Sequence, residues 1–242
     1  MSKKFKVKKK FTIRDKILRA ILRTVLKRPP FINLNESPFP ERCILIANHR
    51  SAAGPFTYRT FMDELYMATA AHQMCENWIS RWCYLYFVFY TKKCKRPKIV
   101  AFILATVLGT FIPMLYSFAG AIPIYFDHRI VSTYKYCIQA LEENVPVSFF
   151  PEKSERGYFE IVKEFNMGFL TLAKLYYERH NEDLPIYTLH FASKPSRIII
   201  GKPKYYGELA KTHTDEEINE IFREYMNSLN TVGRDPQPPA EA

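Results

Sequence analysis

Two short stretches hold side chains that could do chemistry together. Ile44-Leu45-Ile46-Ala47 is an apolar run that delivers Asn48 and His49 at its end. About a hundred residues later, Phe149-Phe150-Pro151 delivers Glu152 and Lys153. A histidine within reach of a carboxylate is a general-base pair: the imidazole takes a proton from an attacking hydroxyl, and a polar neighbour fixes which ring nitrogen does so. Continuous apolar runs of this length read as buried strands. Two such strands would aim His49 and Glu152 into one site. His128, His180, His190 and His213 have no comparable neighbours and read as structural.

Further blocks follow in order. Gly120-Ala121-Ile122-Pro123-Ile124 lies between the two stretches, and Leu184-Pro185-Ile186-Tyr187 follows them. Asn166-Met167-Gly168-Phe169-Leu170 and the turn Ile200-Gly201-Lys202-Pro203 add to the pattern. With Asn48-His49 and Phe150-Pro151-Glu152, this series resembles the glycerophospholipid acyltransferase family over residues 40 to 230. In particular it is similar to the enzymes that acylate 1-acylglycerol-3-phosphate. Each block alone is a weak signal, and the four principal ones in order make a specific one.

The resemblance implies acyl transfer from a thioester to a hydroxyl, with catalytic roles for His49 and Glu152. His49 would be the base, and Glu152 would help to position the acceptor. Asn48 would serve at the substrate site or hold the loop that carries His49. Lys153, Arg129 and Arg156 become candidates for an acceptor phosphate, with Ser154 where the family often has a hydroxyl. No metal and no resident cofactor is implied. An acyl-coenzyme A or acyl-carrier-protein thioester is the donor substrate.

The chain also departs from the family pattern. The family places an aspartate five residues after the histidine, and here that position is Gly54. Lys153-Ser154-Glu155 stands where Gly-Thr-Arg is usual, and Tyr125-Phe126-Asp127-His128-Arg129 replaces an early base after the second block. Three arrangements stay open. Another acid (Glu152, Asp63 or Glu64) orients the histidine; a backbone carbonyl or water does so; or catalysis is lost and the protein binds lipid as an impaired relative of the same fold.

Charge is concentrated at one end. Residues 1 to 28 hold twelve Lys or Arg and one acid, Asp15, so they account for the whole net charge of +11. The other 23 cations and 23 acids cancel. Lys3 to Lys10 read as a mobile basic run. Residues 12 to 28 place Ile13, Ile17, Leu18, Ile21, Leu22, Val25 and Leu26 on one helical face, with bases mostly on the other, and Pro29-Pro30 end the pattern. A basic amphipathic helix suits an anionic membrane surface. A nucleic-acid arm is the rival reading, disfavoured because the apolar face is wide and no nucleic-acid motif follows. The expected setting is the cytoplasmic face of a membrane, peripheral or monotopic, with no nucleic-acid partner. No apolar core with a small-residue cleavage site marks a signal peptide. The five cysteines are odd in number and form no C-x-x-C pair, which disfavours a disulfide framework or zinc site.

Ile99 to Ala121 is uncharged and long enough to cross a bilayer. A single span would separate His49 from Glu152, so buried or shallowly inserted helices are expected. Helices are also expected from Gly54-Pro55 to about Met67 and over 131–143, 161–180 and 214–229. The last begins with the capping-box pair Thr214 and Glu217. Strands are expected at 42–47, 121–126, 145–150, 184–191 and 196–200. The alternation predicts an α/β fold, a central mostly parallel or mixed sheet flanked by helices, with an N-terminal amphipathic helix. The expected divisions are a membrane-associating arm at 1–30, the α/β domain at 31–230 and a disordered tail at 231–242.

Overall fold

The computed structural model describes residues 5–51, 53–153 and 160–233. Its strands are β1 (Phe31–Asn33), β2 (Ile44–Ala47), β3 (Met67–Ala71), β4 (Ile122–Ile124), β5 (Val147–Phe149), β6 (Pro185–Ala192), β7 (Arg197–Ile200) and β8 (Lys204–Tyr205). They form one sheet in the order β1-β7-β6-β2-β5-β3-β4, with β8 also paired to β6. β2 runs parallel to both β5 and β6, whereas β6 is antiparallel to β7 and β8. The sheet is therefore mixed, with a parallel centre.

Parallel central strands are covered on both faces, so they must be apolar at every position. All four residues of β2 are buried: Ile44 and Ile46 enter one core, and Leu45 and Ala47 the other. The first core is closed by α6 (Ile130–Glu142), α7 (Gly168–His180) and α9 (Asp215–Ser228), which contribute Leu141, Phe169 and Phe222. Tyr58 of α2 (Gly54–Phe61) closes the second. The expected capping box forms at α9, where the Thr214 and Glu217 side chains each accept from the other's backbone N–H.

Between β3 and β4 lies a helical unit. It contains α3 (His72–Cys75), α4 (Trp78–Cys83), a π-helix (Tyr84–Lys93) and α5 (Lys98–Ala119). Gly120 ends α5 in the left-handed conformation with φ 62°, where a glycine carries no Cβ penalty. One continuous helix thus occupies most of the uncharged stretch, and its two flanking strands are hydrogen-bonded neighbours. α8 (Tyr206–Leu209) is a single turn near the end.

The N-terminal segment differs from the sequence expectation. Residues 5–10 are docked, because apolar side chains alternate with the lysines. Val7 is buried in the first core, and the Phe5 ring stacks on Tyr136 at 4.2 Å. The Lys8 ammonium donates to the Ser117 and Phe118 carbonyls in the last turn of α5, and it pairs with Asp15 at 2.7 Å. Phe11 lies against the buried Arg59 guanidinium, 4.4 Å from ring centre to Cζ. α1 (Ile13–Val25) follows, with Leu18 inward and Ile13, Ile17, Ile21 and Val25 exposed. The expected helix to Met67 stops at Phe61, and Met67 opens β3 instead. The expected helix from 161 starts only at Gly168. Of the expected tail, 234–242 lies outside the described residues.

Candidate active site

β2 and β5 are adjacent and parallel, with Ile46 opposite Phe149, so both chains leave the sheet at the same edge. His49 follows one strand and Glu152 the other. The Glu152 carboxylate is almost fully buried, and one of its oxygens makes two contacts with His49. Oε2 accepts from the His49 backbone N–H at 2.6 Å and lies 3.1 Å from Nδ1. A carboxylate only accepts, so the Nδ1–H tautomer completes the second contact and Nε2 is the ring nitrogen with base capacity. Phe150 lies against the imidazole, with ring centroids 4.8 Å apart. Of the three acids open in the sequence, Glu152 makes the contact. Asp63 is exposed and pairs with Arg19.

Gly54 explains why no acid stands at that position. After His49 the chain turns sharply: Arg50 takes φ 53°, and the Ser51 N–H donates back to the His49 carbonyl at 2.5 Å. Gly54 starts α2 directly beneath that carbonyl. A Cβ added there would lie 1.7 Å from the His49 oxygen. No side chain fits while the turn keeps this shape.

Asn48 is completely buried and works as a pin. Its Oδ1 accepts from the Phe191 N–H at 2.7 Å and the Tyr58 hydroxyl at 3.0 Å, while its Nδ2 donates to the Phe191 carbonyl at 3.2 Å. These bonds tie the end of β2 to β6 and to α2. The bonds anchor the start of the loop that carries His49.

Glu152 is held from the other side by a returning segment. It forms an antiparallel bridge with Phe165, and the Lys153 N–H donates to the Glu164 carbonyl at 3.1 Å. The Lys153 ammonium pairs with Glu164 at 3.0 Å. The amides of Gly120, Ala121 and Lys153, near the second and third blocks, all donate to backbone carbonyls. Arg129 is engaged elsewhere: Asp127 takes its guanidinium at 2.8 Å and Glu76 at 3.3 Å. Ser154 and Arg156 lie outside the described residues.

His49 and Glu152 open onto a cavity of about 920 Å³. Lys153 lines it as well, whereas Asn48 and Arg129 do not. Its walls are mixed: Leu85 and Phe89 of the π-helix and Ile112 and Leu115 of α5 supply apolar surface, and Arg59, Gln73 and Lys93 also line it. Apolar walls combined with polar groups are the usual make-up of a small-molecule site. Burial pushes the Cys43 and Cys75 thiols up to about 12 and Cys137 further still, away from the thiolate a nucleophile needs. Among the described residues, no group of three His, Cys, Asp or Glu side chains is placed to hold a metal ion.

No family model matches the chain, and neither a curated protein nor a solved structure matches it. The resemblance to acyltransferases therefore rests on the motif residues themselves.

Proposed function

We propose that this chain transfers a fatty acyl group from an acyl-coenzyme A or acyl-carrier-protein thioester to a hydroxyl of a lysophospholipid or glycerol-phosphate-like acceptor. The observation that carries the reading is the 3.1 Å contact between His49 Nδ1 and the buried Glu152 carboxylate at the wall of a cavity of about 920 Å³. His49 Nε2 takes the proton of the acceptor hydroxyl as its oxygen attacks the thioester carbonyl. The tetrahedral intermediate collapses with cleavage of the carbon–sulfur bond, and the leaving thiolate takes the proton from the His49 imidazolium, which regenerates the base. Glu152 holds the imidazole in the useful tautomer and stabilises the imidazolium formed on the way, as the acid of a catalytic triad does. The apolar part of the wall, from Leu85, Phe89, Ile112 and Leu115, has the chemistry to hold a fatty chain. This chemistry needs neither a metal nor a covalent acyl-enzyme.

We place the reaction at the cytoplasmic face of an anionic membrane. The exposed apolar row of α1, flanked by Arg14, Lys16 and Arg23, supports that placement. The test is thiol release from a long-chain acyl thioester offered with a panel of lysophospholipids. His49→Ala is expected to lower turnover by about 10²- to 10⁴-fold, the usual range for a positioned base. Undiminished turnover in that variant would sink the mechanism. Vesicle binding without thiol release for any acceptor would leave a lipid-binding protein of the same fold.

A further inference from the structure

The helical unit between β3 and β4 presents two faces of similar chemistry, and only one of them is covered. On α5, Ala101, Ala105, Gly109 and Ile112 are buried. On the opposite side, Ile99, Ile103, Val107, Phe111 and Met114 are exposed along the length of the helix, while Phe102 between the two faces lies against the Trp82 ring. This helix has 22 residues, and its most apolar window has a mean hydropathy of 2.2 with only 22% of it buried. A solvent-facing helix of a folded domain normally carries charge on its outer side, and contiguous exposed apolar surface of this kind marks an interaction site.

Charge identifies the occupant. From Asn77 to Phe126 the chain holds no Asp or Glu. The same stretch holds Arg81, Lys92, Lys93, Lys95, Arg96 and Lys98, five of them clustered at the turn where α5 begins. An apolar face beside a wholly cationic turn complements an anionic lipid surface, where each base near the headgroups contributes about 1 kcal/mol. Topology sets the mode. β3 and β4 pair with each other, so the unit leaves and rejoins one sheet edge, and a single crossing would tear that pair apart. The cavity adds a further element. Leu108 and Phe126 are exposed and also wall it, so it reaches the surface beside this face.

We propose that the outer face of α5 lies in the headgroup–acyl boundary of an anionic bilayer, and that the cavity opens sideways into that boundary, so that lipid chains reach His49 from within the membrane plane. The second clause rests on the acyl-transfer reading; the first does not.

The chain provides its own probe, because both of its tryptophans, Trp78 and Trp82, sit on α4 beside this face. The experiment mixes the full chain with phosphatidylcholine vesicles, with and without phosphatidylglycerol, whose acyl chains are brominated. Flotation and tryptophan quenching are read together, and thiol release is read with the acceptor either in the vesicle or as a soluble short-chain analogue. Quenching that requires phosphatidylglycerol is expected. Ile103→Asp with Phe111→Asp, two outward positions away from the cavity, is expected to weaken vesicle binding by roughly tenfold or more. Its circular dichroism and soluble-acceptor turnover should stay unchanged while turnover on vesicle acceptor falls. Flotation without quenching would overturn the proposal, as would a double variant that still floats normally. A wild-type dimer that the double variant dissolves would also overturn it, by assigning the face to a second copy. Quenching with no turnover on any acceptor would retain the membrane face and reject the acyl-transfer reading together with the lateral route.

Discussion

The sheet edge at His49 and the α4–α5 unit are both rich in apolar residues, yet they are built to opposite rules. At the sheet edge the reactive groups are held by named partners. Glu152 accepts twice from His49, Asn48 makes three hydrogen bonds, and Gly54 has no room for a single added carbon. Along α5, one face is packed and the other is largely exposed. A hydrogen bond is directional and costly to leave unmade once buried, whereas apolar contact is tolerant of partner and angle. The first region is thus suited to fixing atoms in place, and the second to meeting a surface whose details vary.

If that contrast is right, the largest effect belongs to Glu152. Glu152→Gln is expected to keep the fold, because an amide oxygen can still accept from the His49 N–H. It should lower turnover by up to about 10⁴-fold through loss of the ring-orienting charge. Thiol release and melting temperature measured together check this, and wild-type turnover would break the sheet-edge half of the comparison. Gly54→Ala comes next. One methyl group must displace the His49 carbonyl, so both stability and turnover should fall, the former by about 1–3 kcal/mol or more. Gly54→Asp should be worse, and undiminished activity there would refute the steric account.

Asn48→Ala removes all three bonds and leaves the Phe191 amide and carbonyl buried, an expected loss of about 3 kcal/mol in urea denaturation. His190 sharpens the contrast in another way. It is wholly buried on β6, and burial lowers its pKa to about 4. The unfolded chain titrates near the ordinary 6.5 and so binds the proton first as pH falls. Stability should therefore be intact above pH 6.5 and decline as pH drops towards about 4, by at most about 3 kcal/mol. His190→Leu should flatten that limb of a stability–pH curve. The smallest effect is expected on α5, where Phe111→Ser should change stability in solution by no more than about 0.5 kcal/mol. A cost there equal to that of Asn48→Ala would erase the distinction between the regions.

The central sheet was readable because its strands are buried on both faces and so announce themselves as unbroken apolar runs. β2, β5 and β6 fall within a residue or two of the stretches expected for them. β3 was not, because Met-Ala-Thr-Ala-Ala has Thr69 as its single β-branched residue among small ones, and it pairs with β5 and β4 on either side. The docking of residues 5–10 was hidden by their lysines, which dominate the local charge while Phe5 and Val7 do the packing. At the site, the presence of His49 and Glu152 was legible, but their contact was not, since it depends on register between strands far apart in the chain. The tight turn that excludes a residue-54 side chain left only a glycine as its trace. Arg129 shows the converse: an acid two residues before an arginine is a local signal for the pairing that now occupies it.

The bond between His49 and Glu152 joins positions 103 residues apart, across a pair of strands that must first find each other. Most of the intervening chain folds into helices by local contacts, which form early and cheaply, while a contact of such long range waits for the slow closure of the sheet. On the proposed acyl-transfer reading, helical signal and turnover should consequently return on different clocks during refolding. Recovered turnover would time the moment at which β2 and β5 lock into register, a kinetic marker of topology written into the dyad itself.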